Sequence, residues 1–166
     1  MASTYEPIAT NTLGSSAASV TFTGISSAYT DLVIVCSLKI AATSATNTFI
    51  KVGNGSIDTG SNYSWTRVMG NGSAASSARG TSVSDGVLIG DANLTDFTAD
   101  ILHLQNYSNT TTYKTILTRN NLASALSQAA VGLWRSTSAI NQVQIFGNVR
   151  DLAVGSTITI YGVKSA

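Results

Sequence analysis

The chain has 166 residues, of which 43% are hydrophobic and only 10% are charged. That length fits one domain with a real core, and the near balance of nine basic and eight acidic residues gives no long-range attraction for nucleic acid or an anionic membrane. A surface so poor in charge protects a free monomer weakly against aggregation, so we expect other protein to cover much of it.

Cys36 is the only cysteine, which excludes an internal disulfide and a zinc site built from several cysteines. No apolar run approaches the roughly 20 residues of a membrane-spanning helix, and we find no signal sequence. We therefore expect synthesis in the cytoplasm and stability that comes from packing alone.

Residues 1–13 carry Tyr5, Pro7 and Ile8 among small polar residues. Pro7 lacks an N–H group, which excludes a central strand position and favours an extended backbone. The segment predicts an extended N-terminal arm, which is either an edge strand of its own domain or a segment that docks on a neighbouring subunit. The functional hypothesis uses the docking alternative, with residues 14–166 as a single β-sandwich domain.

The most hydrophobic stretch is residues 31–40. Period-two alternation places five residues on one face: Leu32, Ile34, Cys36, Leu38 and Ile40. Both faces are apolar at its start, which predicts a central strand that is covered on both sides there. On this face Cys36 is expected to be a buried, inert thiol.

Two further strand candidates, residues 48–52 and 63–69, precede Asn-Gly pairs at 54–55 and 71–72. Asn-Gly favours type I′ hairpin turns, which need positive φ at both residues. The next residues, 70–82, are mostly Gly, Ala and Ser, so they predict a mobile loop.

The second half of the chain predicts a long hairpin from residues 97–107 and 113–119. Four residues then show helical spacing: Leu122, Ala125, Leu126 and Ala129. They predict either a short helix or a loop that runs into a strand through Trp134. The last strand, residues 155–164, buries Ile158 and Ile160 on one face and must find partners formed much earlier in the chain.

These segments add up to eight to eleven short strands with turn signals between them and no alternation with long helices. The fold class that this pattern predicts is all-β, an antiparallel β-sandwich of jelly-roll type.

No combination of residues predicts catalysis. His103 is the only histidine, lies between two leucines and has no nucleophile motif beside it, so a hydrogen-bonded structural role is expected. Glu6 is the only glutamate, which leaves little for the paired carboxylates of a glycosidase. We predict no catalytic residue, no enzyme activity and no cofactor.

One loop offers oxygen ligands for a calcium ion, from Asp91, Asn93 and Asp96. It lacks the glycine and the distal glutamate of an EF-hand, and a loop of Asx turns is the alternative. No metal site is assigned.

Large exposed side chains would suit protein contacts. The candidate partner-contact residues are Tyr5, Pro7, Ile8, Trp65, Arg67, Trp134 and Arg135. Core filling is the alternative for each tryptophan.

Five segments together resemble a family of small virion structural proteins of tailed phages, often cyanophages and marine phages. They are YEPIA at 5–9, YTDLVIV at 29–35, NYSNTT at 106–111, WRSTSAI at 134–140 and GSTITIYG at 155–162. The likeness covers nearly the whole chain and consists of strand and turn patterns. It implies a non-enzymatic β-sandwich building block of the virion.

Within that family resemblance two roles remain open. The sequence has no repetitive or coiled-coil shaft, which favours a capsid decoration or cement protein over a distal fibre. The expected partners are the major capsid protein and copies of the chain itself, as a homotrimer, with no nucleic acid and no membrane. The alternative is a tail or fibre receptor-binding module that recognises a host glycan.

Overall fold

The computed structural model describes residues 4–42 and 44–164, in which β-strands are joined by turns and loops without any helix. The strands of these residues are β1 (Tyr5–Thr12), β2 (Ser19–Phe22), β3 (Asp31–Ser37), β4 (Thr46–Asn54), β5 (Ser56–Ile57), β6 (Tyr63–Gly70), β7 (Ala75–Val83), β8 (Val87–Ala92), β9 (Ala99–Leu104), β10 (Lys114–Leu122), β11 (Leu126–Trp134), β12 (Gln142–Gly147) and β13 (Thr157–Val163).

Eight strands form the larger sheet, in the order β1-β13-β3-β9-β10-β11-β6-β7, and every pairing in it is antiparallel. The final strand, β13, lies between β1 and β3. Strands from the two ends of the chain are therefore neighbours, which confirms that the closing strand needs partners formed early in the sequence.

The smaller sheet has the order β2-β12-β4-β5. β8 pairs with the first half of β4, and β5 pairs with the last two residues of β4. Both lie on the side of β4 that faces away from β12. The two sheets confirm the predicted antiparallel β-sandwich. The jelly-roll topology is not confirmed, because a jelly roll divides eight strands between two sheets, whereas here eight strands lie in one sheet.

The core lies between the inner faces of the two sheets. The predicted alternation of β3 and the residues after it is confirmed, since Leu32, Ile34, Cys36, Leu38 and Ile40 are all buried. Ile158 and Ile160 of β13 are buried beside them. Each fully buried aliphatic side chain of this kind stabilises the fold by about 1.5–3 kcal/mol.

β8 packs closely against the larger sheet because two glycines leave room for it. A Cβ atom on Gly132 would lie 2.2 Å from a methyl group of Val87, and one on Gly90 would lie 2.1 Å from the side-chain amide carbon of Asn120. Replacing either glycine with a residue that has a Cβ atom would therefore push the sheets apart.

One of two open alternatives is settled and one prediction about local structure is wrong. Of the short helix and the loop running into a strand that residues 122–129 left open, the second is observed, because Leu122 and Leu126 face each other at the end of the β10–β11 hairpin. The mobile loop predicted at residues 70–82 contains strand β7, which has few apolar side chains because it lies at the sheet edge, with most of its side chains in solvent.

Two further corrections concern exposure and turns. β3 is central in the sheet, as predicted, but its outer face is uncovered and Val35 is exposed. The Asn-Gly pairs do mark turns, but within each pair only the glycine has a positive φ, of 74° at Gly55 and 85° at Gly72. A type I′ turn needs positive φ at both residues, so these turns are not type I′.

The N-terminal segment is a strand of its own sheet. β1 pairs with β13 from Tyr5 to Thr12, with a bulge between Pro7 and Ala9. Ile8 and Leu13 pack against the core. The edge-strand alternative is therefore the observed one, and a boundary after residue 13 does not separate an arm from the sandwich.

Candidate protein-contact face

The outer face of the larger sheet can be mapped from the strand register, because directly opposed residues of neighbouring strands point to the same side. One row across the strands is Val35, Ile101, Arg119, Ala129, Val68 and Ser77. The next row is Val33, His103, Leu117, Val131, Thr66 and Arg79.

Five side chains in these rows are large, apolar and between 39% and 60% exposed: Val35, Ile101, Leu117, Val131 and Val68. We call them the outer-face stripe. They come from five neighbouring strands, so the stripe runs about 20 Å across the sheet at the usual strand spacing. A continuous apolar stripe on a water-facing sheet is a feature of interaction surfaces rather than of inert ones.

A shallow groove of about 710 Å³ adjoins the stripe at the β7 side of the sheet. Its lining is dominated by small side chains on β6, β7 and β11, among them Gly70, Ala75, Ser77, Ser127 and Ala129. The larger Val68 and Arg119 also line it. The groove exists because small residues neighbour large ones across the strands.

The charges of this face are few. Arg119 and Arg79 are exposed, and neither forms an ion pair within the described residues. His103 lies on β9, towards the β3 side of the face. Its Nε2 atom hydrogen-bonds to Asp31 Oδ2 at 2.8 Å, as expected of a structural histidine. The β7 side of the face is therefore locally positive although the chain as a whole is nearly neutral.

A polar network lies beneath the same strands, on the inner face. Thr98 donates a hydrogen bond to Asp100 Oδ2 at 2.6 Å, and Asn120 donates one to Asp100 Oδ1 at 2.6 Å. Gln128 in turn donates to the Asn120 side-chain oxygen at 2.9 Å. Burial raises the pKa of Asp100 to about 7, although the two hydrogen bonds oppose the shift. All these groups are satisfied within the chain, so the network is structural.

Arg67 and Trp65 belong to the interior side of β6 rather than to a contact surface. Arg67 lies 3.5 Å from Asp91 and 3.3 Å from the Gln128 side-chain oxygen. The indole of Trp65 packs on the core and against the backbone of Gly80. The Nε atoms of both side chains are buried without a hydrogen-bond partner.

Trp134 and Arg135 likewise act within the chain. Trp134 is only 3% exposed and donates its indole N–H to Asp58 Oδ2 at 2.7 Å, so it fills the core and is not a contact residue. Arg135 donates to the Ser64 hydroxyl at 2.6 Å and to the Ser61 carbonyl at 2.9 Å. These bonds hold the loop after β11 to the start of β6.

Tyr5, Pro7 and Ile8 lie together on β1, at the edge opposite β7. Tyr5 and Pro7 are exposed, whereas Ile8 is half-buried. The structure therefore divides the predicted contact residues between a sheet edge and the interior, and it does not bring them to one surface.

The oxygen atoms considered as calcium ligands have partners within the chain. The Asn93 side-chain oxygen accepts hydrogen bonds from the N–H groups of Thr95 and Asp96, which is the Asx-turn alternative. Asp91 pairs with Arg67, and the Ser124 hydroxyl holds the pKa of Asp96 below its usual value. Across residues 4–42 and 44–164, no group of three or more His, Cys, Asp or Glu side chains is placed to hold a metal ion.

Comparison with known proteins adds no identity. No protein-family model matches the chain, and no curated protein matches it. The described part of the chain also contains no helix that could span a membrane.

The outer-face stripe was not found from the sequence. Its residues lie on the outer faces of strands whose inner faces form the core. Val35, for example, is next to the buried Cys36, and Ile101 is next to the buried Leu102. The available signal is an apolar pattern on both faces of these strands, which predicts cover on both sides. The same pattern also arises where one apolar face awaits a partner.

Proposed function

We propose that the chain is a non-enzymatic virion structural protein of a tailed phage, most simply a capsid decoration or cement protein. The single observation that carries this proposal is the outer-face stripe, an apolar sheet surface that no described residue of the chain covers. The sequence resemblance to virion proteins supports the same role. In this proposal the stripe packs on the major capsid protein.

The energy of such a contact supports an assembly with many copies. Removing the half-exposed stripe from water contributes on the order of 5 kcal/mol. Association itself costs about 4–15 kcal/mol, so one stripe binds weakly. A homotrimer that presents three stripes to a regular shell would gain avidity without any further contact.

The test is binding of the purified full chain to phage shells that lack it. Leu117→Glu with Val131→Glu places two charges in the stripe, and we expect binding to fall at least a hundredfold because burying an unpaired charge is costly. Thr23→Glu, which follows β2 of the smaller sheet, is the matched control and is expected to bind normally. Equal binding by the stripe variant and the control would contradict the proposal.

A tail or fibre receptor-binding module remains the alternative. It would use a polar groove of about 350 Å³ beside Asp58 and Trp134. The Asp58 carboxylate already accepts hydrogen bonds from Trp134, Asn62 and the Gly60 N–H, which leaves it little capacity for sugar hydroxyls. Labelling at the tail tip of intact particles together with glycan-array binding would favour this alternative over decoration.

A further inference from the structure

The two edges of the larger sheet differ in their protection against added strands. At one edge, β1 carries Pro7, which has no N–H to offer, and a bulge between Pro7 and Ala9. At the other edge, the nine-residue β7 has no proline. Its register with β6 runs without a break from Ala75 to Gly80. Within the described residues, no strand pairs with the free side of β7.

The hydrogen-bonding groups on that free side can be assigned. Across the β6–β7 turn, the Asn71 N–H donates to the Ala74 carbonyl at 3.1 Å. Bonded and non-bonded pairs alternate along an antiparallel ladder. The N–H groups of Ser76 and Ala78 therefore point to β6, and those of Ala75, Ser77 and Arg79 point to the open edge.

The open edge also carries charge on one face. Arg79 lies on the outer face opposite Thr66, and Ser77 lies opposite Val68 of the outer-face stripe. Arg119 lies in the groove beside Val68. Within the described residues neither arginine has a carboxylate partner, so an incoming strand with acidic side chains on this face meets a complementary charge.

We propose that β7 receives an extended acidic segment of a protein partner, which adds to the larger sheet as its ninth strand. Main-chain hydrogen bonds to residues 75–79 give affinity, and Arg79 selects a carboxylate on the outer face. A second copy of β7 fits less well, because Arg79 is the only charged residue of β7 and pairing two copies would add positive charge without a carboxylate. The inference rests on the proposed function, since a docking virion partner supplies the segment.

The experiment uses the full chain and two capped ten-residue peptides, one of alternating valine and glutamate and one of alternating valine and lysine. Fluorescence anisotropy is expected to show at least about tenfold tighter binding of the acidic peptide. Hydrogen exchange at the amides of Ala75, Ser77 and Arg79 is expected to slow when it binds.

Two variants, each with its own control, test the main-chain hydrogen bonds of the open edge and the charge of Arg79 separately. Ser77→Pro removes an outward N–H without touching the ladder to β6 and is expected to abolish binding, whereas Ser77→Ala keeps the N–H and is expected to bind normally. Arg79→Glu is expected to weaken binding of the acidic peptide about tenfold or more, and Arg150→Glu, in a distant exposed loop, is its charge control.

Equal binding of the two peptides, or binding that survives Ser77→Pro, would overturn the inference. So would a dimer of the free protein that Ser77→Pro dissociates, since that result makes a second copy the occupant. Shell binding that is lost with Leu117→Glu and Val131→Glu but kept with Ser77→Pro would leave the proposed function standing while this inference fails.

Discussion

Asp100 is a carboxyl group in the interior of the sandwich, on the strand beside Cys36. Its oxygens accept hydrogen bonds from Thr98 and Asn120, and burial raises its pKa from 3.8 to about 7. The same burial, together with the charge of Asp100, raises the pKa of the Cys36 thiol well above its usual value. The inner polar network therefore holds its proton at a pH where an exposed aspartate has lost it.

The raised pKa predicts a stability that falls as the pH rises. Between about pH 4 and pH 7 the folded chain keeps a proton on Asp100 that the unfolded chain has released, so the free energy of unfolding decreases across that window and levels off above it. From pH 5 to pH 8 the expected loss is on the order of 2–3 kcal/mol. Urea unfolding at several pH values measures it.

Asp100→Asn removes the titrating group but keeps a side chain that can hydrogen-bond to Asn120. We expect the variant to lose the downward slope and to be more stable than the natural chain at pH 8. Asp151→Asn, at an exposed aspartate, is the control and is expected to keep the slope. Parallel pH profiles for Asp100→Asn and the natural chain would show that Asp100 is ionised in the fold.

At the scale of elements, the two edge strands illustrate why composition misleads. β1 is extended, as predicted from Pro7, and its partner β13 comes from the far end of the chain. Seven of the nine residues of β7 are Ser, Ala, Gly or Thr, so hardly any apolar alternation marks it as a strand in the sequence. Backbone hydrogen bonds to β6 stabilise β7, and this pairing does not require an apolar alternation in the side chains of β7.

Deleting residues 1–13 tests the role of β1. The deletion exposes the edge of β13 and removes Ile8 and Leu13 from the core. It also removes the ion pair between Glu6 and Lys164, whose atoms lie 2.8 Å apart. We expect the free energy of unfolding to fall by about 2–4 kcal/mol, with a clear decrease in Tm.

Thr10→Ala is the matched control for that deletion, because it removes only an exposed hydroxyl pair with Thr159 at 3.1 Å. Its expected effect is under about 0.5 kcal/mol. A truncated chain that melts like the full one, but no longer assembles, would restore the docking-arm hypothesis.

At the scale of the whole molecule, a 10% charge content gives only weak charge repulsion between copies. This lets copies associate through exposed apolar side chains other than the outer-face stripe, which in the proposed function packs on the shell. Self-association is therefore expected at micromolar concentration, and a homotrimer is the preferred form. Light scattering should give about three times the 17.1 kDa chain mass.

Raising the salt concentration provides a second measurement of the same contact. An apolar interface is expected to persist in 1 M salt, where exposed ion pairs are screened. A monodisperse monomer in low salt and in 1 M salt would contradict self-association in solution.

The sequence by itself determined the β class, the buried face of β3, the β9–β10 hairpin and the closing strand. These follow from period-two alternation and from turn residues, which are local properties of the chain. The same alternation identified Leu32, Ile34 and Cys36 as core and placed Ile101 and His103 on the opposite face from Leu102.

Only the tertiary structure decided which faces stay uncovered and which edges stay open. Whether Val35 meets a second layer or water depends on which face of the larger sheet the smaller sheet covers, and whether residues 75–83 pair depends on the position of β6. Both are contacts between segments far apart in sequence, so no local pattern encodes them. The outer-face stripe and the open edge of β7 arise from these long-range contacts.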